Sequence, residues 1–290
     1  MDGILIINKT KGYTSHDIVY KIRKIVNEKV GHTGTLDPLA TGVLPLLIGK
    51  GTLCSKYLIN HDKKYQVELK LGKKTTTADS EGELVEEKDV LVEMLQEDKI
   101  EQVLETFLGQ QEQIPPIYSA IKVNGKKLYE YARKNQEVDI KPRIIEIYEL
   151  KLIELNKKEK IIKFEVSCSK GTYIRTLCED IAKKLNTVGY MYNLNRIKVG
   201  DFDILNAINI DEIQKSDNPK EIIENKLIKI EKLFDLKESI DLNDKKLTLF
   251  LNGVQLTQKN EDGIYRIYNK NKFIGIGTIK NNLLKRDIVI

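Results

Sequence analysis

One aspartate stands in a loop that is rich in glycine and hydroxyl groups. Asp37 lies in the segment GHTGTLDPLATG, residues 31–42, and Pro38 follows it directly. A proline disfavours the α region for the residue before it, so we expect the backbone of Asp37 to be extended and fixed. A carboxylate fixed on a rigid loop suits catalysis. The same residue types also build ordinary turns, so this loop alone leaves both interpretations open.

Metal-binding residue types are few and scattered. The three histidines share no i, i+4 face, and the three cysteines form no CxxC pair. These residues are His16, His32 and His61, and Cys54, Cys168 and Cys178. The pattern predicts metal-free chemistry, and buried, reduced cysteines.

Composition and charge limit the class of protein and its partners. With 290 residues, 41% hydrophobic and 31% charged, the chain is typical of a soluble globular protein with a large domain and an appendage, or with two domains. No apolar run approaches the roughly 18 residues of a membrane span, so we expect a cytoplasmic protein. Residues 81–105 hold ten acidic side chains against two lysines, whereas residues 110–143 and 239–290 are basic. This polarity favours a polyphosphate partner, although solvated lysines would give the same composition.

The elements that must position Asp37 follow one another in a mixed order of strand and helix patterns, which indicates an α+β fold with a small β domain at the end. Tyr65 to Leu71 alternate apolar and polar residues, as a strand with one buried face does. We predict strands at 3–8, 65–71, 144–153, 161–168 and 193–202, and helices from Ser15 to 27, from Asp98 to a closing Gly109, and at 174–185. Residues 186–190 are predicted to be a loop, residues 211–221 a polar stretch, and residues 239–290 short strands in a β-barrel-like unit.

Five segments, in order, resemble the bacterial TruB-type tRNA pseudouridine synthases. They are GHTGTLDPLATGVLP, KKYQVELKLGKKTTTADSEG, QIPPIYSAIKVNGKKLYEYAR, CSKGTYIRTLCEDIA and YNLNRIKVG. The resemblance covers residues 1–200 closely and the tail less sharply. It implies a catalytic domain at 1–238 built on a mixed or antiparallel sheet flanked by helices. A thumb insertion is expected at about 110–143, and a PUA-like RNA-binding domain at 239–290.

The resemblance also implies an activity and its residues. The family isomerises the uridine at position 55 in the T loop of tRNA to pseudouridine, without a cofactor. Asp37 matches the acting carboxylate, either a nucleophile at C1′ or a base at C2′, and Arg175 matches its ion-pair partner. Tyr65 matches the tyrosine that stacks on the flipped base and is a candidate to handle the C5 proton. Further matches are the pocket residues Tyr173 and Leu194, the carboxylate Asp79 beside Arg175, His32, which helps to open the T loop, and Lys9 near the site.

RNA contacts are expected from the thumb. The candidates for phosphate contact are Lys122, Lys126, Lys127 and Arg133, and three tyrosines either stack on bases or pin the thumb to the core. These are Tyr118, Tyr129 and Tyr131. Asn195 and Thr76 depart from the family pattern, which often has arginine and aspartate there. The partner is the tRNA T stem-loop, and we expect a monomer that needs no membrane and no protein partner.

Three other interpretations compete with this one. The chain could be a non-catalytic tRNA-binding or folding protein on the same scaffold. It could be a guide-RNA-dependent pseudouridylase subunit, but those proteins lack a comparable thumb. A nucleoside glycosidase would need a second carboxylate beside Asp37 and would release free uracil.

Overall fold

The computed structural model of the chain describes residues 1–134 and 136–290. The strands are β1 Gly3–Lys9, β2 Val30–His32, β3 Thr41–Ile48, β4 Lys63–Leu71, β5 Lys73–Thr75, β6 Leu84–Glu87, β7 Gly109–Gln113, β8 Lys122–Val123, β9 Lys126–Lys127, β10 Arg143–Asn156, β11 Ile161–Cys168, β12 Gly189–Val199, β13 Phe202–Asp203, β14 Ile208–Asn209, β15 Ser239–Asp241, β16 Leu256–Thr257, β17 Gly263–Asn269, β18 Lys272–Lys280 and β19 Leu283–Val289. The α-helices are α1 Ser15–Val26, α2 Ser55–Leu58, α3 Glu97–Glu105, α4 Leu128–Ala132, α5 Ile174–Lys184, α6 Ile210–Lys215, α7 Pro219–Lys226 and α8 Asp244–Leu251.

A large mixed sheet forms the centre of the molecule. Its strands run in the order β14, β1, β3, β12, β4, β11, β10, β7, with β2 added beside β3 and β13 beside β12. Most neighbours are antiparallel, whereas β12 runs parallel to β3 and β14 runs parallel to β1. The sheet brings β3, which follows the Asp37 loop, next to β12 and places β4 on the other side of β12. The predicted α+β fold class is confirmed.

Amphipathic elements cover the sheet. In β4 the residues Tyr65, Val67, Leu69 and Leu71 are buried and the residues between them are half-exposed, as the period-2 pattern predicts. The apolar faces of α1, α3 and α5 join this buried face in one cluster, to which Ile18, Ile100 and Ile181 belong. Burial of this cluster excludes water from the covered face of the sheet.

The C-terminal residues form a separate five-stranded sheet in the order β15, β17, β18, β19, β16. Its Ile276 and Ile288 join a second apolar cluster that includes Ile4 and Ile230, so this sheet packs directly on the central one. Lys56 and Tyr57 of the central part both donate hydrogen bonds to the carboxylate of Asp287. Apolar packing and a shared carboxylate therefore fix the position of the terminal sheet.

Two predicted helix starts were wrong. Thr14, rather than Ser15, caps α1, because its hydroxyl accepts from the Asp17 backbone N–H while the Ser15 hydroxyl is bonded to Leu36. Asp98 lies inside α3, which begins at Glu97.

Three predicted boundaries also differ. The helix α3 ends at Glu105, and Gly109 begins β7, which pairs with β10 as the outer strand of the sheet. The excursion from the sheet therefore covers residues 114–142, and Asn135 within it lies outside the described residues. Residues 186–190 were predicted to be a loop, but β12 begins at Gly189 because it pairs with Leu71 of β4.

Two further helical regions were not predicted. Residues 211–221, a polar stretch in the sequence, contribute to α6 and α7, whose Ile210, Ile213 and Ile223 are buried against the main core. The helix α8 interrupts the predicted all-strand tail and buries Phe250 in the core of the terminal sheet. Among the residues that the structure describes, no helix is long and apolar enough to cross a membrane.

Candidate active site

A cavity of about 750 Å³ opens beside the Asp37 loop. Five of the residues expected at the active site line it, namely Asp37, Tyr65, Tyr173, Arg175 and Leu194. They come from a loop, two strands and the start of a helix that are far apart in the sequence. The tertiary structure therefore brings a carboxylate, a phenol, a guanidinium and apolar side chains to one concave surface.

Short-range contacts hold the Asp37 loop in place. The Ser15 hydroxyl, at the start of α1, accepts from the Leu36 N–H at 2.9 Å and donates to the Leu36 carbonyl at 3.2 Å. The Gly12 N–H donates to the Pro38 carbonyl at 2.9 Å. The backbone on each side of Asp37 is thus fixed by the turn before α1 and by α1 itself.

Arg175 connects Asp37 to two other parts of the chain. Its Nε lies 3.4 Å from Asp37 Oδ2, and its Nη1 lies 3.6 Å from Asp79 Oδ2. Nη2 donates to the Tyr118 carbonyl at 3.0 Å, and Nη1 donates to the Thr77 carbonyl at 3.2 Å. Carbonyl and carboxylate acceptors on several sides restrict the guanidinium to one orientation, in which it faces Asp37.

Asp79 is buried and does not line the cavity. Its carboxylate accepts from the Thr77 hydroxyl and from the Glu81 N–H, and it faces Arg175 on the side away from Asp37. Asp79 therefore orients Arg175 and does not face the cavity itself.

Tyr65 and Leu194 form part of the cavity wall from adjacent strands. Leu194 on β12 pairs with Val67, two residues beyond Tyr65 on β4. Burial raises the pKa of the Tyr65 phenol to about 12, so the phenol is neutral at ordinary pH. Tyr173, which also lines the cavity, is held by Gln113, whose amide donates to the Tyr173 carbonyl at 3.1 Å and accepts from the Tyr173 N–H at 2.8 Å.

Arg196 is a positioning residue that the sequence did not single out. It is 1% exposed, and its guanidinium donates to the carbonyls of Val43 at 2.8 Å and Gly34 at 3.1 Å, on both sides of Asp37. Burial lowers the pKa of Arg196, and the nearby Tyr65 and Asp37 oppose that change. One signal could have found it, because Leu194 and Arg196 lie two positions apart on a strand and share a face.

Three family models match the chain in succession. The model described as "TruB family pseudouridylate synthase (N terminal domain)" matches residues 23–174, just over half of the chain. The chain belongs to the TruB family. The "tRNA pseudouridylate synthase B C-terminal domain" model matches residues 175–238, and "Pseudouridine synthase II TruB, C-terminal" matches residues 239–286. The family predicted from the five segments is therefore confirmed.

Similar proteins agree with this membership of the TruB family. A tRNA pseudouridine synthase B from Clostridium kluyveri is 43% identical over 289 residues, which is 97% of this chain and 96% of that protein. A tRNA pseudouridine synthase B from Aquifex aeolicus is 39% identical over 287 residues, 98% of each chain. Among solved structures, a chain of a Cbf5–Nop10–Gar1 complex matches with a TM-score of 0.69 and 25% identity, covering 99% of this chain and 83% of that one.

Two residues expected from the TruB resemblance do not line the cavity. Lys9 is fully buried, and its ammonium donates to the carbonyls of Tyr13 at 2.7 Å, Thr10 at 3.1 Å and Pro38 at 3.2 Å. Burial lowers its pKa to about 8, although the charge of Asp37 opposes that change. The ring of His32 packs edge-on against His16 at 5.6 Å between centroids. Burial is also the main reason why the pKa of His32 is lowered.

The four cations predicted in the TruB thumb do not line the cavity. Lys127 Nζ and Arg133 Cζ each lie 5.3 Å from the ring centroid of Tyr129. Tyr129 itself lines the cavity together with Tyr118. Lys122 and Lys126 are exposed on the hairpin of β8 and β9.

The remaining residues singled out in this family have local roles. Tyr131 donates to the Val123 carbonyl at 3.0 Å within the same excursion. Of the two departures, Asn195 accepts from the Thr41 hydroxyl at 3.1 Å, and Thr76 accepts from the Glu83 N–H at 3.1 Å.

Proposed function

We propose that this chain isomerises the uridine at position 55 in the T loop of tRNA to pseudouridine. Membership of the TruB family and relatives that carry the name tRNA pseudouridine synthase B support this activity. The observation that carries the proposal is the cavity in which Asp37 faces Arg175. The cavity is large enough for one nucleoside, and among the residues that the structure describes it is lined by a single carboxylate.

The proposed reaction needs no external reagent. The N1–C1′ bond of the uridine breaks, the uracil turns within the cavity, and a C5–C1′ bond forms. The proton lost from C5 is balanced by the proton gained at N1, so the product is an isomer of the substrate. Asp37 acts either by attack on C1′ or by removal of the C2′ proton, and Arg175 supplies the opposite charge beside its carboxylate.

The walls of the cavity suit a base that must turn without escaping. Leu194, Met191 and Ile145 are apolar residues that line it, and they offer no hydrogen bond that would hold the uracil in one orientation. We propose that the Tyr65 ring stacks on the base. With its pKa raised to about 12, the Tyr65 phenol is a neutral group that does not compete with Asp37 as a base at pH 7.

A uridine within a folded T loop must leave its stack to enter the cavity, which costs a few kcal/mol. We propose that the thumb at 114–142 and the terminal unit at 239–290, a PUA-like RNA-binding domain, provide compensating contacts to the tRNA. The catalytic domain then covers residues 1–238. His32 would act by opening the T loop. A monomer that acts in the cytoplasm, where tRNA is found, is sufficient for this function.

The test is tritium release from C5-labelled uridine in an unmodified tRNA transcript, with the position of pseudouridine mapped afterwards. We expect release by the wild type at position 55, and none by Asp37→Asn with tRNA affinity retained. Asp211→Asn, an exposed aspartate on α6, is the matched control and should keep full activity. A wild type that binds tRNA without release would favour a tRNA-binding protein, and free uracil as product would indicate a glycosidase.

A further inference from the structure

Three cations outside the thumb line the mouth of the cavity. They are Lys63 at the start of β4, Arg143 at the start of β10 and Lys170 in the turn after β11. In the central sheet, Cys168 at the end of β11 pairs with Lys63 on one side and Ile147 on the other. The three cations therefore lie at the same end of three adjacent strands, although the sequence separates them widely.

These cations lack acidic partners. Within the described part of the chain, Asp37 is the one carboxylate that lines the cavity, and Arg175 already faces it. No carboxylate of the described residues lies within ion-pair distance of Lys63, Arg143 or Lys170. Lys63 and Lys170 instead donate to neutral oxygens, those of the His61 carbonyl and the Asn60 side chain.

The lowered pKa of Lys63 agrees with the absence of an ion-pair partner among the described residues. Burial is the first cause of its lowered pKa, and the positive charges of Arg196 and Lys170 lower it further, whereas Cys168 and Asp62 oppose that change. Like charges that no ion pair neutralises raise the free energy of the empty site. A polyanion at the mouth of the cavity would remove that cost.

We propose that Lys63, Arg143 and Lys170 bind the phosphodiester groups on the two sides of the flipped-out uridine. This inference rests on the proposed function, because it takes RNA as the ligand. With C1′ at Asp37 and the base inside the cavity, the two phosphates of that nucleotide lie at the mouth. The thumb cations Lys127 and Arg133 lie instead over the Tyr129 ring.

The salt dependence of tRNA affinity tests this assignment. Each phosphate contact contributes about 0.7 to 0.9 to the slope of log K against log salt concentration. Lys63→Gln, Arg143→Gln and Lys170→Gln are each expected to lower that slope by about this amount. Lys158→Gln is the matched control, because Lys158 is exposed in the turn at the other end of the β10–β11 hairpin. It removes the same charge and should leave the slope unchanged.

Charge-conserving variants separate phosphate binding from a structural role. Lys63→Arg and Arg143→Lys should keep the wild-type slope, whereas each glutamine variant should have a smaller slope. Unchanged slopes in all three glutamine variants, or an equal decrease of the slope in Lys158→Gln, would overturn the proposal. Pseudouridine formation by the wild type, measured in the same transcript, is the separate check on the proposed function. A wild type that binds no tRNA would overturn both.

Discussion

The Nε atom of Arg175 lies 3.4 Å from Oδ2 of Asp37, although the two residues belong to distant parts of the sequence. The same guanidinium reaches Asp79 and the Tyr118 carbonyl, and Tyr118 lies at the base of the excursion 114–142. One side chain therefore links the proposed catalytic carboxylate, a buried orienting carboxylate and the segment that we expect to contact RNA.

Loss of Arg175 should affect stability as well as activity. In Arg175→Met, the Asp79 carboxylate, 6% exposed, would lose its cationic partner, and removal of one member of a buried pair costs about 3–5 kcal/mol. The double variant Arg175→Met with Asp79→Asn should regain part of the free energy of unfolding in urea, because no buried charge remains. Activity should stay lost in both. A double variant that is no more stable than the single one would contradict this account of Asp79.

Replacement of Arg196 by lysine should not be conservative. The ammonium of lysine is a point charge and cannot span the carbonyls of Gly34 and Val43 as the guanidinium does. Each buried carbonyl left without a donor costs about 1–3 kcal/mol, and a shift of about 1 Å in the Asp37 loop can lower the rate about 100-fold. We expect a lower melting temperature and at least a tenfold lower kcat for Arg196→Lys. Arg23→Lys, at an exposed position on α1, should change neither.

The close approach of β3 to β12 requires glycine at position 42. Gly42 has φ +106, and a Cβ there would lie 2.2 Å from the Arg196 carbonyl oxygen. Gly109 also has a positive φ, +87, but a Cβ there would meet nothing within 4 Å. Gly109→Ala should therefore cost only about 1–2 kcal/mol, the cost of the left-handed backbone. Gly42→Ala should lower the free energy of unfolding in urea clearly more than Gly109→Ala does. If the two variants lose the same free energy of unfolding, the backbone relieves the clash at residue 42.

His32 should make the folded state sensitive to mild acid. Its pKa is lowered in the folded state, first by burial and then by the charges of His16 and Arg196. The unfolded chain then binds more protons than the folded one below a pH of about 6.5, so stability falls as the pH drops through that value. The free energy of unfolding of His32→Gln should fall less than that of the wild type between pH 7 and pH 5. Identical pH dependence would exclude His32 as the cause.

Local patterns in the sequence were enough for much of the fold. The alternation from Tyr65 to Leu71 and the apolar face of α5 depend on side-chain periodicity within one element, and the structure has both. The residue at which a helix begins was harder to predict, because neighbouring residues can each serve as its N-cap. Thr14 and Ser15 both carry a hydroxyl, and the distant Leu36 decides which one caps α1.

The sequence by itself determined the Asp37 loop and the residue types that accompany it, because these motifs are contiguous. Only the tertiary structure decided that Arg196 is buried beneath that loop, and that Lys63, Arg143 and Lys170 line one end of the sheet. The physical reason is that these contacts depend on the pairing of β4 with β11 and of β12 with β3 and β4. Strand register is set by packing across the whole sheet, and a shift of one residue would turn each side chain to the other face.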